Sequence, residues 1–265
     1  MRGVSAATLD KVLAVVEGSK GASNIGDELF AVTALLDSTP ALRRVLTDPA
    51  TESDARVGLA KQVLGDKISP ESLAVIVEAV GGRWSAGRDL TDGLEIAGVA
   101  AHVAAADTNG QLADMESELF EAGRIIDADR ELRRTLTDRT LPATAKAALV
   151  DSIFDGKVTP PTLALVRQAA AARTASFDKV LATFADEVAA RRSRLLAEVR
   201  STYPLTDGEL GRISAALAKR YGREFHLNTV IDPDVVGGVR VSIGGDVIDG
   251  SISSRLEDAR RLLAG

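Results

Sequence analysis

The residues Glu28-Leu29-Phe30 return as Glu118-Leu119-Phe120, Leu42-Arg43-Arg44 as Leu132-Arg133-Arg134, and Leu46-Thr47-Asp48 as Leu136-Thr137-Asp138. Each pair is 90 positions apart (118 − 28 = 90), and the offset holds through Leu59/Leu149, Lys67/Lys157, Pro70/Pro160, Leu73/Leu163 and Arg83/Arg173. Between 28–83 and 118–173, 18 of 56 positions are identical without a gap. Coincidence in an Ala- and Leu-rich chain gives about five, so the chain is read as two copies of one module.

Each copy reads as short helices. Asn24 is placed to cap a helix with Ile25, Leu29, Val32, Leu35 and Leu36 on one face. Thr51 with Asp54 resembles a capping box opening a helix that ends at Gly65. Ser69-Pro70 and Thr159-Pro160 each offer an N-cap with proline at the first helical position. A further helix is expected from Trp84 toward Ala106, interrupted near Gly93 or Gly98. Helices this short are marginal in water, so each must be stabilised by packing against its neighbours.

After Asp178 a long helix ends in Arg191-Arg192-Ser193-Arg194, and the pattern changes. Residues 195–202 alternate as a strand, and Thr206 with Glu209 forms a capping box for a helix to Tyr221. Phe225, Leu227, Thr229 and Ile231 alternate, as do Val239, Val241 and Ile243 before a Gly244-Gly245 hairpin turn. A last helix is expected from Gly250-Ser251. The expected architecture is mainly α: two tandem short-helix bundles, 1–95 and 96–194, followed by a small α+β domain, 195–265.

Composition limits the chemistry. Aromatics are 3% of the chain, so the cores are aliphatic, and the net charge of -6 argues against nucleic acid as a partner. No cysteine is present, which removes disulfides and thiolate metal sites. The start lacks the pattern of a secretory signal, and no apolar run approaches the roughly 20 residues that cross a bilayer. Direct membrane insertion is therefore not expected. The stretch Gly237-Gly238 to Gly244-Gly245 matches no phosphate-loop spacing and is read as turn and packing glycine. His102 and His226 fall in different modules, which disfavours a metal site, and His102 reads as a half-buried spacer. Asp232, Asp234, Asp246 and Asp249 occupy turn or helix-start positions. No catalytic, cofactor-binding or metal-ligating residue is assigned.

The run Ile231-Asp232-Pro233-Asp234-Val235-Val236-Gly237-Gly238-Val239-Arg240-Val241, with Gly244-Gly245-Asp246-Val247-Ile248-Asp249-Gly250-Ser251-Ile252-Ser253-Ser254-Arg255-Leu256, resembles the C-terminal signature of the delta subunit of F-type ATP synthase, the oligomycin-sensitivity-conferring protein family. The chain is longer than the usual member by about one repeat, as in the enlarged actinobacterial forms. The resemblance implies a non-catalytic peripheral-stalk subunit, one copy per complex, attached peripherally at the cytoplasmic face of the bacterial membrane. A helical bundle would receive the N-terminal helices of alpha subunits, and the C-terminal module would hold the b-type stalk subunits. The competing reading is a helical adaptor or regulatory scaffold unrelated to ATP synthase.

Amphipathic helices dock into apolar grooves. The candidate groove residues are Leu9, Leu13, Leu73, Ile76, Val77 and Val80 in copy one and Leu163, Val166 and Ala170 in copy two. Leu256, Leu262 and Leu263 are candidates for the b-type contact. Trp84, whose counterpart is Thr174, is a candidate anchor that the repeated core does not require.

Overall fold

The computed structural model describes residues 3–19, 24–138, 140–172, 175–194, 196–221, 225–233, 235, 237–243 and 246–249. The chain divides into two compact units, Met1–Val188 and Ala189–Gly265.

The first unit is helical. Its helices are α1 (Val4–Gly18), α2 (Ile25–Ser38), α3 (Pro40–Thr47), α4 (Ser53–Leu64), α5 (Pro70–Gly81), α6 (Gly87–Thr108), α7 (Leu112–Ala128), α8 (Arg130–Thr137), α9 (Ala143–Phe154), α10 (Pro160–Ala170) and α11 (Phe177–Arg194), the last reaching into the second unit. The helix starts of α3, α4, α5 and α6 recur 90 residues later in α8, α9, α10 and α11. The counterpart of α1 is the second half of α6. The buried stripe Thr8, Val12 and Val16 of α1 corresponds at that offset to Gly98, His102 and Ala106, which are buried too. One helix thus closes copy one and opens copy two, running unbroken across 95/96.

Gly93 and Gly98 do not interrupt α6. A Cβ on Gly93 would stand 2.6 Å from the Trp84 ring, and one on Gly98 would stand 2.6 Å from the Phe30 ring. Both glycines are notches that admit an aromatic edge, so the cost of glycine in a helix is offset by packing. The core around α6 contains Val12, Leu29, Leu36, Ile76, Val80, Leu90 and Leu94, each essentially inaccessible.

A polar latch recurs with the helices. Glu28 of α2 accepts from the Ser69 amide at 2.9 Å and hydroxyl at 2.6 Å, and Ser69 caps α5. Glu118 of α7 accepts from the Thr159 amide at 3.0 Å and hydroxyl at 2.7 Å. Burial opposes ionisation of Glu28, but the Ser69 and Ser72 hydroxyls and the Ser69 amide hold its carboxyl below the ordinary 4.5. The expected box at Thr51 and Asp54 does not form. Glu52 is the N-cap of α4, and the Thr51 hydroxyl turns back to Asp48 at 3.4 Å.

Arg56 is buried in α4 and donates to five carbonyls, those of Asp48, Thr51, Val80, Gly81 and Gly82, at 3.0–3.2 Å. It satisfies the C-terminal end of α5 and fixes the turn before α4. Lys146, its counterpart in α9, is buried as well.

The second unit is a βαβ unit joined to a hairpin. β1 (Leu196–Ser201), α12 (Asp207–Tyr221), β2 (His226–Ile231), β3 (Val239–Ile243) and β4 (Asp246–Asp249) form a sheet of order β2-β1-β3-β4. β1 runs parallel to β2 and antiparallel to β3, and β3 and β4 pair with Ile243 opposite Asp246. Ala197, Val199, Val241 and Ile243 point at Leu217 of α12 and at Phe225. The Thr206–Glu209 box forms as expected, at 2.9 Å from the Thr206 amide. Gly237 and Gly238 take φ of 65° and 82°, which only glycine adopts at little cost, and lead into β3. The hairpin glycines Gly244 and Gly245 and the expected last helix lie outside the described residues.

Two outcomes follow from the polar contacts. Arg56→Ala strands five carbonyls and is expected to lower unfolding stability by about 3 kcal/mol in urea melts, whereas Arg56→Lys recovers part of the loss. Equal stability of the Ala variant and the parent would contradict the capping role. Because the Glu28 carboxyl is depressed, its contribution is present above pH 4.5 and is lost as pH falls below it. Glu28→Gln should therefore flatten the acid limb of the stability profile; an unchanged limb would remove the latch from the balance.

Candidate docking site

Within the first unit an apolar cleft of about 320 Å³ opens between α1, α6 and α11. Leu13 comes from α1, Ile96, Val99 and Ala100 from α6, and Val180 and Phe184 from α11. Ile96 is 41% exposed, while Val99 and Phe184 are buried. Glu95, Lys179 and Glu187 form a charged rim. Glu95 is held by Gln168 of α10, whose Nε2 donates at 2.5 Å. Aliphatic walls with a mixed-charge rim can seat one apolar face of a helix; the lining side chains include no nucleophile paired with a base. Among the described residues no group of three or more His, Cys, Asp or Glu is placed to hold a metal ion. No described helix is long and apolar enough to cross a membrane.

The groove residues expected from the sequence divide. Leu9, Leu13, Leu73 and Val77 are half-buried and keep accessible surface. Ile76 at 1%, Val80 at 0%, Val166 at 0% and Ala170 at 1% face the core and offer a partner nothing to touch. Leu163 is buried at 6%. Core and groove share a helical period, so the sequence could not separate them. Leu256, Leu262 and Leu263 lie outside the described residues. Trp84 packs partly against the core, and its indole donates to the Ala79 carbonyl at 2.7 Å, so copy one does use it structurally. His102 is more deeply buried than a spacer, 5.2 Å from the Phe30 ring. Its Nε2 stands 3.5 Å from Asp27, whose carboxyl the imidazole holds below the ordinary 3.8 against the cost of burial.

One exposed residue went unnoticed in the sequence. Phe120 is 74% exposed although its counterpart Phe30 is packed on Gly98. The position 90 after Gly98 is Val188, so copy two has no glycine at the place that receives the first ring. Comparing partners across the repeat, rather than the repeated residues alone, carries that signal.

The family model for the ATP synthase delta (OSCP) subunit matches residues 99–263. The chain belongs to the ATP synthase delta (OSCP) family. The match opens inside α6 and covers the second copy and the C-terminal unit, leaving the first copy outside it. Relatives extend further. The ATP synthase subunit delta of Kineococcus radiotolerans is 43% identical over 264 residues, covering 98% of this chain and 96% of its own. That of Beutenbergia cavernae is 43% identical over 253 residues, 95% and 93% of the two chains. That of Streptomyces griseus is 43% identical over 248 residues, 93% and 92%. Copy one is therefore matched in these actinobacterial relatives as well. A chain of the Toxoplasma gondii mitochondrial ATP synthase hexamer matches with a TM-score of 0.32 at 19% identity over 63% of this chain and 95% of its own, too slight a likeness to bear on the fold.

The contrast between the two phenylalanines gives a direct comparison. Phe30→Ser should cost about 3 kcal/mol of stability, whereas Phe120→Ser should stay within about 0.5 kcal/mol. Equal losses in the two variants would show that the exposed ring is packed in solution.

Proposed function

We propose that this chain is the non-catalytic connector of a proton-translocating F-type ATP synthase, holding the alpha/beta head to the b-type stalk against the torque of the rotor. Family membership along nearly the whole chain carries this reading. It places the subunit peripherally at the cytoplasmic face of the bacterial membrane, one copy per complex.

The cleft between α1, α6 and α11 suits the N-terminal helix of an alpha subunit. Burial of its aliphatic walls contributes about 25 cal/mol per Å² before the costs of association. Leu9 continues the face of Leu13 one turn away, and Phe120 is a second anchor on α7. Leu73 and Val77 form a further accessible face on α5. Leu256, Leu262 and Leu263 supply the b-type contact at the C-terminus. A tether of this kind does no chemistry; it needs side chains that exclude water and hold a partner in one orientation.

The test is purification of the complex through a tag on this chain from detergent-solubilised membranes. Alpha and b-type subunits should be recovered together. Ile96→Asp, at an exposed position that leaves the fold intact, should reduce alpha recovery about tenfold while b-type recovery persists. Leu262→Asp with Leu263→Asp should do the reverse. Ile76→Asp is unsuitable because it places a charge in the core. Recovery of neither subunit with the unaltered chain would falsify the connector role.

A further inference from the structure

A second cleft, of about 590 Å³, lies between α3 and the turn from α5 into α6. It differs in chemistry from the docking cleft, because Arg43, Arg44 and Arg88 line it with Trp84 as one wall and a single carboxylate, Asp48. Arg43 is committed to Asp37 at 3.2 Å, and Asp48 to the Ala50 amide at 2.9 Å. Arg44 and Arg88 are exposed, and neither guanidinium makes a hydrogen bond or ion pair among the described residues. In a chain of net charge -6, two free guanidiniums on opposite walls of one cleft form a local cationic site.

Copy two is an internal control. Arg133, Arg134, Thr137 and Asp138 repeat α3, and Arg133 approaches Asp127 as Arg43 approaches Asp37. The other wall is different. Gly87 and Arg88 correspond to Phe177, which is buried, and Asp178, which reverses the charge. The fold therefore requires neither the open position at Gly87 nor the cation at Arg88.

We infer that this cleft binds a carboxylate-rich segment of a partner polypeptide. Guanidinium groups pair with carboxylates through two parallel hydrogen bonds. The free pair arises from different elements, which suits carboxylates spaced along a chain. A single phosphate needs donors converging on one point, and three of the donors around the cleft are already used. The Ser85 amide donates to Ser5 at 2.8 Å, the Thr47 hydroxyl to the Arg43 carbonyl at 2.9 Å, and the Asp89 amide to the Ala86 carbonyl at 3.0 Å. Trp84 supplies an apolar wall for the methylenes between acidic groups.

Trp84 is the only tryptophan of the chain, so its emission reports on this cleft. The experiment titrates the full chain at low salt with an oligoglutamate peptide, an oligoserine peptide and inorganic phosphate. Oligoglutamate should change the emission saturably, and oligoserine should not. Arg44→Gln and Arg88→Gln should each weaken binding about fivefold, and Arg88→Asp, which copy two already tolerates, should abolish it. Arg134→Gln should leave it unchanged. Unaltered affinity in the Arg44 and Arg88 variants would overturn the proposal. So would phosphate displacing the peptide at comparable concentration, since that marks a small-anion site. Binding is read without the synthase complex, so its failure is separable from failure of the connector role.

Discussion

Everything in the helical unit depends on α6 belonging to both copies. Gly98, His102 and Ala106 stand at the offset of Thr8, Val12 and Val16, yet Gly98 and His102 pack on Phe30 of copy one. Helix α6 also touches α7 and α10 of copy two, and its first half packs into the first core through Leu90 and Leu94. A flexible linker between the copies would leave them free to pivot. A continuous 22-residue helix shares its hydrogen-bond ladder between them, and bending it costs helix as well as packing. Phe30 seated on Gly98 and Trp84 seated on Gly93 brace that helix along its first half and middle. The stiffness suits a part that transmits a static load.

Repetition also sorts structural polar groups from the rest. The Glu28–Ser69 contact has its counterpart in Glu118–Thr159, and the buried cation Arg56 has Lys146, so these groups belong to the frame that both copies need. Where counterparts diverge, the frame imposes no choice. Gly87 and Arg88 against Phe177 and Asp178 is one such place, and the packed Phe30 against the bare Phe120 is another. Divergence within one chain thus directs attention to surfaces.

Much of the architecture was legible in the sequence because its signals are local. Ser69 before Pro70, Thr206 before Glu209 and the alternation through Val239, Val241 and Ile243 each act within a few residues, and each forms the expected element. The misses were tertiary. Gly93 and Gly98 read as helix breaks until the rings that fill them are known, and those rings come from sequence positions 9 and 68 residues away (93 − 84 and 98 − 30). Ile76 and Val77 are adjacent, apolar and on one helix, yet one is sealed in the core and the other half-open. A helical period gives the face of a residue only to within the width of a side chain, and docking surfaces begin where the core ends.

A stator must resist being turned as well as being pulled away. An apolar cleft holds a helix firmly but selects poorly among rotations about its axis, since hydrophobic contact is non-directional. Charged contacts add what burial lacks, because guanidinium–carboxylate pairing fixes register and orientation more than it adds affinity. The rim of Glu95, Lys179 and Glu187 around Ile96 can supply that direction at the cleft between α1, α6 and α11. Carboxylate pairing at the free arginines beside Trp84 would supply it at a separate place on the same compact unit. Two contacts apart on one compact unit would oppose rotation through a lever arm, which a single groove of any affinity lacks.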